Sequence, residues 1–228
     1  MTVPIQLFSA WMGPGPMSTA RENALRVITM HCGVPLHFVS HINLKSWIHD
    51  DYPLHIGFPY LSAVHQCDYL RCYLLHVYGG GYTDIKPSTN NWNSFFSMLQ
   101  LTKFIGAGYT EISQQSVAKV GGELEEEMKN NYQKLIGVCS LIMAPKSEFS
   151  KNWFNKVNNI LDNNIEALIG NPARHPQDYY GANFQDGSIS MYPIAWTGLG
   201  GDVLHPLIYE NSHNFLHLNM APDFRNYR

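Results

Sequence analysis

The chain has 228 residues, is 45% hydrophobic and 14% charged, and carries a net charge of −3. That length fits one sizeable domain over residues 1–228, and the apolar content excludes a disordered chain. No apolar run approaches the roughly 18 residues of a membrane helix. The opening Met1–Phe8 lacks the basic flank of a signal peptide, and the near-neutral balance excludes nucleic-acid binding by a general basic field. The expectation is a soluble, cytoplasmic protein whose partners meet it in a local site, with no nucleic acid and no membrane span.

In chain order, residues 5–11 read as a strand, broken by Met12-Gly13-Pro14-Gly15-Pro16. Thr19 with Glu22 makes a capping box for a helix that Gly33-Val34-Pro35 ends, and residues 36–40 read as a second strand. This β-α-β opening implies a parallel sheet with helices on its faces. Ser62 caps a longer helix in which Val64, Cys67, Leu70, Leu74 and Tyr78 recur at helical spacing. Gly79 and Gly80 stop it, and residues 82–85 form a short strand. A helix over 91–99 and a strand over 104–107 follow.

Residues 111–131 are polar and rich in Glu, the pattern of a mobile excursion or an exposed helix. Residues 135–144 read as a buried strand, and the apolar positions from Trp153 to Leu161 as a helix. Beyond Gly170, Pro, Gly and Asn dominate, with short strands near 189–192. The closing Asn226-Tyr227-Arg228 is not an obvious natural end and is compatible with a domain cut from a longer chain.

Cys32, Cys67, Cys72 and Cys139 form no C-x-x-C pair and lie in apolar stretches, as buried free thiols do in a reducing compartment. His37 and His41 fall on or beside a strand and read as structural. His213 and His217 share the same spacing but lack the Glu of a zinc-protease helix.

The densest chemistry runs from Cys67 to Lys86. Asp68 and Arg71 share a helix face at i, i+3. The Gly79-Gly80-Gly81 triple permits a sharp turn, and Asp84 follows at the carboxyl end of a strand, where open α/β sheets bind ligands. Lys86 is followed by Pro87, so this is not a phosphate loop of the G-x-x-x-x-G-K type.

In this order and spacing, Asp68, Arg71, Tyr78, Gly79, Gly80, Tyr82 and Asp84 resemble the core of GT-A glycosyltransferases. Family 32 and the capsular polysaccharide synthesis group are the most similar; their pattern runs D-x-x-R, then G-G-x-Y-x-D-x-D. Val3-Pro4-Ile5 and Trp11-Met12-Gly13 resemble that family's opening. Residues 136–145 resemble the strand before its acceptor-side helix, and Thr197-Gly198-Leu199-Gly200 looks like a loosened T-G-P turn. Small glycosyltransferase domains of large algal viruses are similar in size; such an origin would place the chain in a host cytoplasm. The resemblance covers most of residues 3–87 and is patchy afterwards.

What it implies is a GT-A-like, Rossmann-like α/β fold with a mostly parallel central sheet flanked by helices. A nucleotide-sugar-binding half would span about 1–110, and an acceptor-side half about 132–228. The implied reaction moves a hexose or deoxyhexose from a UDP-sugar donor to a hydroxyl of a glycan or protein-linked glycan. Trp11 matches the indole that stacks on uracil, and Asp68 and Arg71 the pair that bonds the donor sugar's hydroxyls. Asp84 matches the first Asp of D-x-D, with Gly80 and Tyr82 shaping that edge.

Lys86 departs from the pattern, standing where the second Asp, an Mn²⁺ ligand, is expected; a protonated Lys cannot ligate a metal. Two readings stay open. Asp84 with His213 or His217 holds Mn²⁺ or Mg²⁺, or the Lys86 ammonium offsets the diphosphate charge. Asp178 is the first candidate for a catalytic base, with Asp186 and Asp202 behind it. Two alternatives remain beside the transferase: a catalytically inactive GT-A-fold module that binds a nucleotide sugar or glycan, and an unrelated nucleotidyltransferase. The last fails if Trp11 and Arg71 line the same pocket as Asp84.

Overall fold

The computed structural model describes residues 2–225. The first strand, β1 (Leu7–Trp11), leads through the Gly-Pro loop into α1 (Thr19–His31) and back to β2 (Leu36–Ser40). The N-cap of α1 is Ser18 and not Thr19; its hydroxyl accepts from the Arg21 N–H, which satisfies one of the helix's orphan donors. An irregular stretch then crosses to α2 (Ala63–Val77), capped by Ser62 as expected. Gly79 and Gly80, at φ +65° and +101°, turn the chain into β3 (Gly80–Thr83).

Next come α3 (Trp92–Gln100), β4 (Gly106–Thr110), α4 (Gly122–Asn130) and β5 (Ile136–Met143). The chain finishes through α5 (Glu148–Asn163), α6 (Ile165–Gly170), α7 (Gly201–Glu210) and β6 (Phe215–His217). The polar run after 111 thus holds a short exposed helix, and residues 189–192 contribute only an isolated bridge, Asn183 to Ile189. The two terminal elements were not legible: α7 contains Pro206, and β6 is three residues long.

The six strands form one sheet in the order β2-β1-β3-β5-β4-β6. It is mixed. Pairings β1–β2, β1–β3 and β4–β6 are parallel, and β5 runs against both β3 and β4. Alternation along the strands splits the core in two. Phe8, Leu141 and Met143 face α2, α5 and α7, where Leu74, Val157 and Leu204 are fully buried. Leu7, Ile142 and Ala107 face α1 and α3, where Ile28, Trp92 and Phe96 pack. Helices therefore cover both faces, the usual solution for a largely parallel sheet. Among the described residues no helix is long and apolar enough to cross a membrane. All four cysteines are free; Cys32 and Cys72 are buried, Cys67 and Cys139 partly so.

One feature of the topology positions the site. From β1 the chain goes by α1 to β2 on one side; from β2 it goes by α2 to β3 on the other side of β1. The two helices lie on opposite faces, so a crevice opens beyond the carboxyl ends of β1 and β3. That is a topological switch point, where open α/β sheets bind ligands.

Candidate functional site

A cavity of about 520 Å³ occupies that crevice, within the range of small-molecule sites. One wall is the loop after β1 with the first turn of α1: Trp11, Met12 to Pro16, Ser18 and Arg21. The floor is α2 and the end of β3: Cys67, Asp68, Arg71, Tyr82 and Asp84. His175, Pro176 and Gln177 close the third side. Trp11, Arg71 and Asp84, far apart in sequence, share one space.

The Gly-Pro loop is wrapped on Trp11. Its indole Nε1 donates to Gly15 O at 3.1 Å, and a Cβ at Gly13 would fall 2.7 Å from the indole ring, so only glycine fits there. His41 Nε2 donates to Met12 O at 2.7 Å, giving that histidine the structural role expected of it. Arg21 reaches across, with Nη1 donating to Ile85 O at 2.8 Å and its guanidinium 5.9 Å from the Trp11 ring centre.

The floor is a chain of alternating charges. Arg71 Nη1 donates to Asp68 Oδ1 at 2.6 Å, and Nη2 to Asp84 Oδ1 at 2.8 Å. Its guanidinium lies 4.9 Å from the Tyr82 ring centre. Lys86 Nζ pairs with Asp84 Oδ2 and donates to Cys139 Sγ at 3.1 Å. Burial would raise the Asp84 carboxyl, but Lys86 and Arg71 outweigh it and hold it well below the usual carboxylate range. Burial likewise opposes the charge on Lys86, and Asp84 overrides it, holding the ammonium above its ordinary value. Cys67, in the cavity, is pushed up to about 12, mainly by burial, so its thiol stays protonated.

Not every expected residue meets here. Gly80 lies at the opposite end of β3, where a Cβ would sit 2.7 Å from Gln6 O; it allows close backbone approach and does not shape the ligand edge. Lys86 stands behind Asp84 and is absent from the cavity lining. Asp178 is buried behind the third wall, its Oδ2 accepting from the Arg174 N–H at 2.8 Å and its Oδ1 without a hydrogen-bond partner. It folds the turn whose preceding residues line the cavity. Asp186 lies in an exposed turn with Ser188.

Neither histidine reaches Asp84. Tyr82, Leu141, Gly108 and His217 form one row across the sheet, which puts His217 three strand spacings, roughly 14 Å, from Tyr82. Its Nδ1 shares a hydrogen bond with Thr110 Oγ1 at 2.9 Å. His213 is exposed before β6, at the sheet end away from the cavity. Among the described residues no group of three or more His, Cys, Asp or Glu is arranged to hold a metal. Both Asp84 oxygens already receive cationic donors, so the residues present do not fit a divalent ion there.

Sequence reasoning missed two contributors, Arg21 and His65, and pointed to a third by the wrong residue. Arg21 was hidden by placing the helix cap one residue late; counted from Ser18 it falls at the third helical position, facing the loop. The His175–Gln177 wall belongs to the stretch that the sequence singles out through Asp178, but the residues that line the cavity are the three before that aspartate. His65, one turn before Asp68, is fully buried. Its Nε2 donates to Ala195 O and Trp196 O at 3.0 and 3.2 Å, and its Nδ1 is 3.0 Å from the Tyr192 and Ser62 hydroxyls. It thereby docks the 195–200 loop on α2, where a Cβ at Gly200 would fall 3.5 Å from the Asp68 carboxylate. On this loop Trp196 is 39% exposed, its ring edge to face at 5.4 Å with that of Tyr179, 37% exposed.

Comparison with known proteins finds no matching family model, no matching curated protein and no matching solved structure.

Proposed function

We propose that the chain is a GT-A-like glycosyltransferase that takes a sugar from a UDP-sugar and passes it to a glycan hydroxyl. The observation that carries this reading is Arg71. It joins Asp68 and Asp84 on the floor of a switch-point cavity that Trp11 also lines. A fixed carboxylate–guanidinium pair offers acceptors and donors at set angles, the means by which a site tells one hydroxyl arrangement from another. The shared pocket speaks against the nucleotidyltransferase alternative.

In this reading the nucleotide lies along the Trp11 wall and the donor sugar over Asp68 and Arg71. The bond from the anomeric carbon to the diphosphate oxygen breaks, and that oxygen keeps the electron pair. The acceptor oxygen forms the new bond, and its proton passes to the departing diphosphate, whose freed oxygen is the base that the step itself supplies. Arg21 and Arg71 are the cations on the cavity surface that favour charge on the departing diphosphate. The exposed Tyr179–Trp196 pair offers flat apolar faces suited to the C–H face of an acceptor sugar.

The test is UDP binding by calorimetry and UDP release from a panel of UDP-hexoses, in native protein and in Trp11→Ala and Asp68→Asn. Expected are UDP binding weakened in Trp11→Ala and release from at least one sugar lost in Asp68→Asn. No binding of UDP by the native chain would overturn the reading. Binding without release, with or without glycan acceptors, would favour the inactive binding module, a reading that the buried Asp178 and the fully paired Asp84 also support.

A further inference from the structure

We propose that Lys86 stands in for a divalent cation at Asp84, so that this chain holds its nucleotide diphosphate without metal. The inference rests on the nucleotide-sugar reading for its ligand, and on the ion pairs alone for the exclusion of metal.

Consider the charges on the floor. Asp68 and Asp84 are two carboxylates in a crevice that must accept an anionic diphosphate. With Arg71 alone the floor would be net negative and would repel it; a metal is one remedy. Lys86 is another. Its ammonium, 8% exposed, pairs with Asp84 Oδ2, is held by Cys139 Sγ, and has the Phe224 ring 5.6 Å away. The floor is thereby neutral before any ligand arrives, and Arg21 adds a positive charge on the wall.

The same arrangement shuts metal out. A divalent ion on Asp84 would have to displace Arg71 or Lys86, leaving a buried cation beside a doubly charged ion. No second carboxylate is available to help, since Asp68 already holds Arg71. Lys86 itself supplies no lone pair while protonated. Because it sits behind Asp84, it acts as a positioning and neutralising residue and not as a contact to the diphosphate.

The experiment measures Mn²⁺ binding by loss of the free-ion EPR signal, and UDP affinity by calorimetry with and without excess EDTA, in native protein and in Lys86→Asp. The native chain is expected to leave millimolar Mn²⁺ free and to bind UDP equally well in EDTA. Lys86→Asp puts a second carboxylate two residues from Asp84. It should bind Mn²⁺ and gain about tenfold in UDP affinity when Mn²⁺ is added. Micromolar Mn²⁺ binding by the native chain, or UDP binding lost in EDTA, overturns the proposal. So does a folded Lys86→Asp that ignores Mn²⁺. Should that variant fail to fold, the native measurements decide alone. Absence of UDP binding in every condition would instead overturn the nucleotide reading, while the Mn²⁺ titration still judges Lys86.

Discussion

Replacing Arg71 by Met removes the charge that two carboxylates share while keeping most of the side chain's bulk. Arg71 is 4% exposed, against 13% and 19% for the Asp68 and Asp84 side chains. Asp84 would retain Lys86; Asp68 would lose its ion partner and remain a largely buried charge. Breaking a buried pair from one side costs about 3–5 kcal/mol. The partial exposure of both carboxylates lets water return, which favours the lower end, about 3 kcal/mol. For a chain of this size that corresponds to a fall in Tm of roughly 6–12 °C. Urea unfolding followed by tryptophan fluorescence should show the midpoint falling at constant slope. Adding Asp68→Asn should recover part of the loss, since the orphaned charge is then gone. The Asp84 carboxyl is depressed in the folded state, so its contribution is present above the unfolded value near 3.9 and fades as pH falls below it. The gap between native and variant should therefore stay flat through neutral pH and narrow below about pH 4. A loss under about 1 kcal/mol, the worth of a surface pair, would refute the reasoning, because it would mean that Arg71 is effectively solvated.

Other expectations concern neighbouring groups. Burial lowers the His65 imidazole, so its contribution is whole above about pH 6.5 and declines as pH falls below; His65→Leu should flatten the acid limb of a Tm–pH curve while lowering Tm at pH 7. Asp202 is raised by burial, with Oδ1 unpartnered. Its contribution is greatest below about pH 4 and lost as pH rises through the raised folded value, so Asp202→Asn should melt higher than native protein at pH 7 and approach it in acid. Cys67, held near 12 by burial, should react with iodoacetamide far more slowly than a free thiol at pH 8, as mass spectrometry would report. Gly80→Ala combines φ +101° with a Cβ 2.7 Å from Gln6 O; it should cost about 2 kcal/mol or more in denaturant unfolding.

The first 87 residues were far more legible than the rest. Local signals there agree with the tertiary outcome: Ser62 caps α2, glycines end it, and the strand–helix–strand spacing fixes parallel pairing and hence the switch point. Asp68, Arg71 and Asp84 could be read as a group because two are bound by helix periodicity and the third follows a glycine turn. The direction of β5 was not readable. Its apolar run suits a buried strand of either sense, and only the path of residues 111–135 decides that it returns antiparallel beside β4. The orientation of Lys86 escaped for a different reason: alternation along an extended segment cannot say that its long side chain folds back behind Asp84 to reach Cys139. Residues 170–200 position themselves by single long-range bonds, such as His65 to Ala195 and Trp196, which leave no periodic trace.

The antiparallel return of β5 also bears on how the chain is made. β3 is paired on one side by β1 and on the other only by β5, which is translated about 60 residues later. At ribosomal speeds that interval is on the order of 3–12 s. Throughout it, a nascent β-α-β-α-β unit would present the Gly80–Thr83 backbone as an open edge, available to another emerging chain. Polysomes translating this message hold many such edges close together, so slowing elongation between codons 84 and 136 should favour co-translational aggregation, and a chaperone that shields strand edges should act in that window.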